Sequence, residues 1–179
     1  MEKIITKDLV IRESTFDDID YFDKWEKDPK VTEFFSIADG QTRDDVVRKF
    51  VHDDEDPAQR QYTICLKEGE EPIGRIVMGD IIMGWKCEIW RIYIGDYRLR
   101  NKGYGRQAML AMMELAFEKW DMARLYLDHY TGNPAAFLYQ SLGFQYEGVL
   151  RQNCRKNGVL YDVHLMSMLK EEYFERYGK

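Results

Sequence analysis

The sequence has few of the residues that build metal centres or disulfide frameworks, and its charge has the wrong sign for a nucleic-acid binder. Its 179 residues include three histidines, and 32 acidic residues outnumber 26 basic ones, which gives a net charge of −6. The cysteines Cys65, Cys87 and Cys154 are odd in number and widely spaced, so we expect reduced thiols in a cytoplasmic protein. Scattered histidines predict no metal site, and the missing basic excess predicts no nucleic-acid partner.

Long apolar runs and a signal-peptide pattern are also missing. No segment approaches the roughly 20 apolar residues that cross a bilayer, so we expect no membrane partner. The chain is 45% hydrophobic and 32% charged, as in an ordinary globular protein. Because no linker or repeat divides it, we predict a single domain over residues 1–179.

Hydrophobic patterning predicts a mixed α/β (α+β) fold. Helices are expected from about Thr15 to Lys27 and from Thr42 to Val51, and a third helix is expected after residue 105. Asn133 is the expected N-cap of a short fourth helix, with Pro134 at its first position and Gly143 at its end. Strands are predicted at 9–14, 61–68, 72–82, 87–95, 123–130, 144–150 and 159–168. Asn157-Gly158 predicts a hairpin between the last two strands.

The stretch RNKGYG, Arg100 to Gly105, predicts an anion site between a strand and a long helix. Gly103 and Gly105 allow a ligand to approach the backbone closely, and the following helix presents free N–H groups and its positive dipole end. A phosphate is the expected anion. The spacing Gly-x-Gly-x-x-Ala also fits a dinucleotide fingerprint, but it lies past the middle of the chain, behind apparent hairpin strands.

These residues resemble the GNAT superfamily of acetyl-CoA-dependent N-acetyltransferases. The loop pattern Gln/Arg-x-x-Gly-x-Gly/Ala is present as Arg100, Gly103 and Gly105. A second signature, Asn-x-x-Ala-x-x-x-Tyr followed by Gly-Phe, is similar to NPAAFLYQSLGF at residues 133–144. The resemblance covers about residues 9–173 and is greatest to the branch of ribosomal-protein N-terminal acetyltransferases and spermidine acetyltransferases.

The resemblance implies a sheet of about six to seven strands, mostly antiparallel, that splays between two central parallel strands. It implies acetyl-CoA as cosubstrate and no metal. One backbone N–H within Ile92 to Ile94 would polarise the thioester carbonyl, and the glycine loop would cradle the pyrophosphate. The implied cofactor-binding residues are Ile92, Tyr93, Ile94, Arg100, Asn101, Lys102, Gly103, Tyr104, Gly105, Arg106, Asn133 and Tyr139.

Two side chains are the candidate catalytic groups. By the resemblance, Tyr139 would stabilise or protonate the departing thiolate, whereas a core tyrosine with a bonded hydroxyl is the alternative. The attacking amine must lose a proton, and Glu88, at the start of the strand leading to the site, is the best single candidate for the base. Ordered water, His129 and His164 remain alternatives.

The implied function is transfer of acetyl from acetyl-CoA to a primary amine by direct attack in a ternary complex. A GNAT-like module that binds coenzyme A without turnover is the alternative. The acceptor, a small-molecule amine or a protein N-terminus, would lie beside residues 30–41 and the final hairpin. The acidic run at 52–57 is expected to be a solvated helix end, and a homodimer is left open.

Overall fold

The computed structural model describes residues 3–178. Eight strands form one sheet: β1 Ile4–Ile5, β2 Leu9–Glu13, β3 Arg60–Leu66, β4 Pro72–Ile82, β5 Lys86–Ile94, β6 Arg124–Tyr130, β7 Gln145–Lys156 and β8 Val159–Leu169. The helices are α1 Ile19–Glu26, α2 Pro29–Thr32, α3 Arg43–Glu55, α4 Tyr104–Glu114, α5 Ala135–Leu142 and α6 Lys170–Tyr177. Short 3-10 turns precede α1 and the glycine loop, and α4 continues as a π-helical turn, Leu115–Lys119.

The sheet has the strand order β1-β2-β3-β4-β5-β6-β8-β7. Every neighbouring pair is antiparallel except β5 and β6, which run parallel because α4 carries the chain back across the sheet. The parallel pairing extends only from Lys86 opposite Arg124 to Ile89 opposite Leu127. Beyond those residues β5 stays with β4 and β6 stays with β8, so the sheet opens between its two parallel strands.

Helices cover the two faces of the sheet at different places. The larger apolar cluster contains Ile92 and Ile94 of β5, and it joins the sheet to α4. In α4 and its extension the apolar stripe predicted from the sequence is buried at all five positions, Ala108, Ala111, Met112, Leu115 and Ala116. A second cluster packs Phe22, Trp25 and Phe50 of α1 and α3 against Tyr93 on the opposite face.

Most of the sequence-based expectations for the fold are confirmed. The mixed sheet, the crossover unit and all seven predicted strands are present, and an eighth strand, β1, adds one to the expected six to seven. Asn157 and Gly158 both have positive φ, 51° and 80°, as a two-residue hairpin turn requires. Helices α2 and α6 were not predicted. Among the described residues no helix is both long and apolar enough to cross a membrane.

Candidate active site

A cavity of about 700 Å³ occupies the opening between β5 and β6. Its walls come from β5 and β6, from the glycine loop, from the start of α5 and from the segment that follows α2. Of the predicted site residues, the cavity brings together Glu88, Ile92, Tyr93, Ile94, Arg100, Asn101, Tyr104, Gly105, Asn133 and Tyr139. Lys102, Gly103 and Arg106 lie in the same loop or helix start but do not line the cavity.

The β5 backbone supplies hydrogen-bond donors along this opening. Gly95 donates its N–H to the Ile73 carbonyl of β4 at 2.7 Å. Because backbone groups alternate in direction along a strand, Tyr93 also faces β4, whereas the N–H groups of Ile92 and Ile94 point to the side that β6 has left. Two donors separated by one residue are thus available to an extended ligand that lies along the edge of β5.

The glycine loop has the conformation that its sequence predicts. Gly103 adopts φ +82° directly before α4, and Asn101 is also left-handed at φ +60°. No atom lies within 4 Å of where a Cβ on Gly103 would be. The first intrahelical bond runs from the Gln107 N–H to the Gly103 carbonyl at 3.1 Å, so the N–H groups of the first turn are free to bind an anion.

The basic residues of this loop are partly engaged. Arg100 donates to the Lys30 carbonyl at 3.0 Å, and Arg106 donates to the Ser141 hydroxyl at 3.0 Å. Lys102 is exposed. Arg100 therefore connects the loop to α2, while Lys102 is the side chain of the three that is most free to reach a phosphate in solvent.

Helix α5 places Asn133 and Tyr139 on one wall of the cavity. The Asn133 Oδ1 accepts from the Ala135 N–H at 2.9 Å, which confirms its capping role, although the helix begins at Ala135 rather than at Pro134. Tyr139 is only 7% exposed, and its hydroxyl makes no hydrogen bond within residues 3–178. Burial, with the charge of Asp128, raises the pKa of Tyr139 to about 12, so the phenol stays protonated at neutral pH.

Glu88 lies on the opposite wall, beside an irregularity in β5. Val77 is paired with Arg91 and Met78 with Ile89, so Trp90 is an extra residue that bulges from the strand. The Trp90 indole N–H donates to Glu88 Oε2 at 2.8 Å. Burial, with the like charge of Asp128, raises the pKa of Glu88 to about 7 despite that hydrogen bond. A carboxyl group with this pKa is suited to exchange protons near neutral pH.

Asp128 is a cavity residue that the sequence interpretation did not assign to the site. Glu88 is paired with Tyr126 across the parallel strands, and Asp128 follows two residues later on β6, so it lies on the same face of the sheet as Glu88. It is half-buried, and burial raises its pKa. In the sequence, the polar Asp128 next to the apolar Leu127 indicates only that the two side chains point to opposite faces of a strand. It would have indicated a cleft residue only if the separation of β5 and β6 had been known.

The segment after α2 closes the other side of the cavity, as the resemblance implied for the acceptor region. Glu33, Phe34 and Phe35 line it, and the final hairpin is tied to this region because Asn157 exchanges two hydrogen bonds with Asp39 at 2.8 and 2.9 Å. The acidic run at 52–57 is not entirely solvated as expected. Asp53 is 2% exposed, pairs with Lys49 and lines the cavity.

A buried ionic network supports β5 from below the cavity. The Glu26 carboxylate accepts from Arg75 and Arg91 at 2.8 Å each and from the Tyr93 hydroxyl at 3.0 Å. Burial alone would raise the pKa of Glu26, but the two guanidinium groups hold it below its usual value. This network fixes the strand that carries Ile92 and Ile94 to helix α1.

The two histidines considered as alternative bases stack on each other, with ring centroids 5.2 Å apart. His164 bonds Thr131 and Tyr146, and neither histidine lines the cavity. No group of three or more metal-ligating side chains occurs within residues 3–178.

Comparison with known proteins identifies the family. Residues 8–145 match the acetyltransferase (GNAT) domain. This chain belongs to the GNAT acetyltransferase family. It is 30% identical over 97% of its length to the uncharacterized N-acetyltransferase p20 of Bacillus licheniformis, of which it covers 99%. It is 25% identical over 95% of its length to the uncharacterized N-acetyltransferase YnaD of Bacillus subtilis, of which it covers 98%.

Solved structures of this GNAT family have the same fold. The spermidine N-acetyltransferase of Vibrio cholerae, in complex with CoA and spermine, superposes with a TM-score of 0.83 at 21% identity over 94% of this chain and 99% of that one. A Salmonella typhimurium acetyltransferase that modifies the N-terminal serine of ribosomal protein L7/L12 gives a TM-score of 0.80 at 16% identity, with 94% and 99% covered. The predicted GNAT family and N-acetyltransferase activity are therefore confirmed, and the solved structures show the same fold.

Proposed function

We propose that this GNAT protein transfers the acetyl group of acetyl-CoA to a primary amine by direct attack in a ternary complex. One observation carries the proposal: the opening between β5 and β6 gathers free backbone donors, the glycine loop, a protonated phenol and a carboxyl group with a pKa of about 7 around one cavity.

The pyrophosphate of acetyl-CoA would bind the N–H groups at the start of α4, with Lys102 and Arg106 near its charge. The pantetheine arm would pair with the edge of β5, and Asn133 would contact it from α5. These assignments rest on the open space above Gly103 and on the direction of the Ile92 and Ile94 N–H groups.

The chemistry balances with the side chains present. Glu88, directly or through water, removes one proton from the ammonium, and the neutral amine attacks the thioester carbonyl. A β5 N–H stabilises the oxyanion. The carbon–nitrogen bond forms and the carbon–sulfur bond breaks. The nitrogen gives up its second proton, which balances the proton that the departing thiolate takes up, and Tyr139 hydrogen-bonds that thiolate or relays the proton to it.

The acceptor is proposed to be a small-molecule amine or a protein N-terminus, because structural neighbours act on spermidine and on an N-terminal serine. Three expectations stay predictions: a single domain, a homodimer and a cytoplasmic location. The last of these fits the three free thiols.

Free-thiol release from acetyl-CoA with a panel of amines tests the function. Acetyl-CoA should also raise the melting temperature, with a Kd in the micromolar range, roughly −8 kcal/mol, and NAD and NADP should not. Protection without thiol release with any amine would favour the module that binds coenzyme A without turnover. Tight binding of NAD instead would favour the dinucleotide interpretation.

A further inference from the structure

We propose that Asp128, together with Glu88, forms the subsite that receives the acceptor amine as an ammonium ion, and that the proton then passes to Glu88 while Asp128 stays ionised. This inference rests on the proposed acetyl transfer and names the charge state in which its acceptor enters.

The fully buried carboxylates elsewhere in the protein all have a cationic partner. Buried charges are ordinarily paired with a cation. Three carboxylates with no more than 4% exposure follow this rule: Asp18 with Arg12, Glu26 with Arg75 and Arg91, and Asp53 with Lys49. In contrast, Glu88 and Asp128 are half-buried, line the cavity and form no ion pair within residues 3–178. The cation that the two carboxylates lack is supplied by the substrate.

Glu88 and Asp128 meet at the opening of the sheet. Glu88 is on β5 and Asp128 on β6, on the same face, where the two strands begin to separate. Tyr130 follows two residues after Asp128 on that face and is 5% exposed. Its ring borders the cavity, but its hydroxyl is shielded from solvent and interacts with the Cys154 thiol, so the two carboxylates are the groups that can meet the ammonium. Two carboxylates together offer four oxygens, enough to accept the three N–H bonds of a primary ammonium.

Of the two carboxylates, Glu88 is the one that takes the proton. Two like charges that share a site cannot both stay ionised easily, so one pKa is raised. The groups that face this pair are Asp80 on β4, Tyr126 and His129 on β6, Tyr139 on α5, and Cys154 on β7. Asp80 is neutralised by Lys86. The negative charge of Asp128 raises the pKa of both the Glu88 carboxyl and the Tyr139 phenol, so Asp128 favours the proton on Glu88 and keeps the phenol protonated.

The test measures ammonium binding without turnover. The CoA-saturated protein is titrated with propylammonium chloride while NMR follows the indole N–H of Trp90, which bonds Glu88 and is assigned with Trp90→Phe. We expect a saturable shift that potassium chloride at equal ionic strength does not produce. Asp128→Asn, which keeps the side-chain shape, should weaken the Kd at least fivefold, and Asp128→Ser should do the same. Asp121→Asn, on an exposed side chain beyond the far end of β6, is the matched control and should not change it.

A second measurement on the same samples is the pH at which the Trp90 signal titrates with Glu88. This midpoint should fall in Asp128→Asn, because a like charge is removed, and should stay unchanged in Asp121→Asn. Equal Kd values in wild type and Asp128→Asn, an equal effect of potassium chloride, or an unchanged midpoint would overturn the inference. Failure of the acetyl-transfer proposal would be seen separately, as no thiol release from acetyl-CoA with any amine.

Discussion

The change Tyr139→Phe tests the proposed role of the phenol most directly, because it removes one hydroxyl and keeps the ring. The hydroxyl makes no hydrogen bond within residues 3–178, so packing and folding stability should change little. Transfer of its proton from a pKa of about 12 to a thiolate with an ordinary pKa of about 8.5 would be uphill by roughly 5 kcal/mol. A hydrogen bond from the phenol to the thiolate avoids that cost and stabilises the transition state.

The expected magnitude follows from the charge on the acceptor of this hydrogen bond. A hydrogen bond to a charged group contributes about 1.5–3 kcal/mol, so Tyr139→Phe should lower kcat by roughly tenfold to 150-fold. The Kd of acetyl-CoA should stay within about twofold, because the variant keeps the ring of this implied cofactor-binding residue and loses only the hydroxyl that is proposed to act on the thiolate. The assay is thiol release at saturating acetyl-CoA, with thermal unfolding recorded on the same protein.

A matched control is Tyr173→Phe, the same chemical change away from the cavity. The Tyr173 hydroxyl donates to the Glu118 carboxylate at 2.6 Å, so on the same scale this variant should lose about 1.5–3 kcal/mol of stability, or roughly 3–12 °C in Tm, and keep its turnover. If Tyr139→Phe behaved like this control, with near-native kcat and a lowered Tm, the phenol would be a structural residue and not part of the mechanism.

Three further changes test the loop, the base and the buried network. Gly105→Val should keep Tm within about 2 °C, because a Cβ there meets only Leu138 at 3.8 Å, yet it should lose most of the thermal protection that acetyl-CoA gives. Gly103→Val should lose that protection and also have a lower Tm, since positive φ strain costs roughly 1–3 kcal/mol. Glu88→Gln should abolish the rise of kcat/KM with pH near 7. Because folding raises the pKa of Glu88, wild type loses stability as pH rises from about 4 to 7, so the variant should melt higher than wild type at pH 8 and not at pH 4. Glu26→Gln should cost roughly 3–5 kcal/mol by leaving two buried guanidinium groups underpaired, and equal Tm values in both proteins would contradict that.

Local signals were sufficient for the parts of the fold that depend on a few neighbouring residues. Gly103 before α4, the Asn133 cap and the Asn157-Gly158 turn each follow from backbone dihedrals or capping chemistry that only certain residues satisfy. Strand β1 has two residues, and α2 has four, which is too short for a periodic pattern. Helix α6 has an acidic first turn and Arg176 in its last turn, a signal that the sequence interpretation overlooked.

Site residues could be predicted where a motif or a strand position in the sequence indicates them. They could not be predicted where their role depends on the contact of two segments distant in the sequence. Tyr139 and Glu88 both line the cavity, although their catalytic roles stay predictions. Asp128 was missed because its importance depends on where β6 leaves β5, and that point is set by strand pairing over a separation of about 40 residues. The ion pair between Glu26 and Arg75 joins residues 49 apart, and no local pattern in either segment indicates it.

The bulge at Trp90 explains how β5 directs side chains into the core on one face of the sheet and holds Glu88 and Tyr93 on the other. Cys87 and Ile89 pack on the α4 face, and so do Ile92 and Ile94, which breaks strict alternation by one residue. Without the extra residue, Ile92 and Ile94 would exchange faces with Tyr93, and Tyr93 would lose Glu26. Gly79 makes the bulge possible, because a Cβ there would lie 2.2 Å from the Trp90 indole. The same indole bonds Glu88. The single bulge in β5 therefore fixes both the direction of the backbone donors and the position of the proposed base.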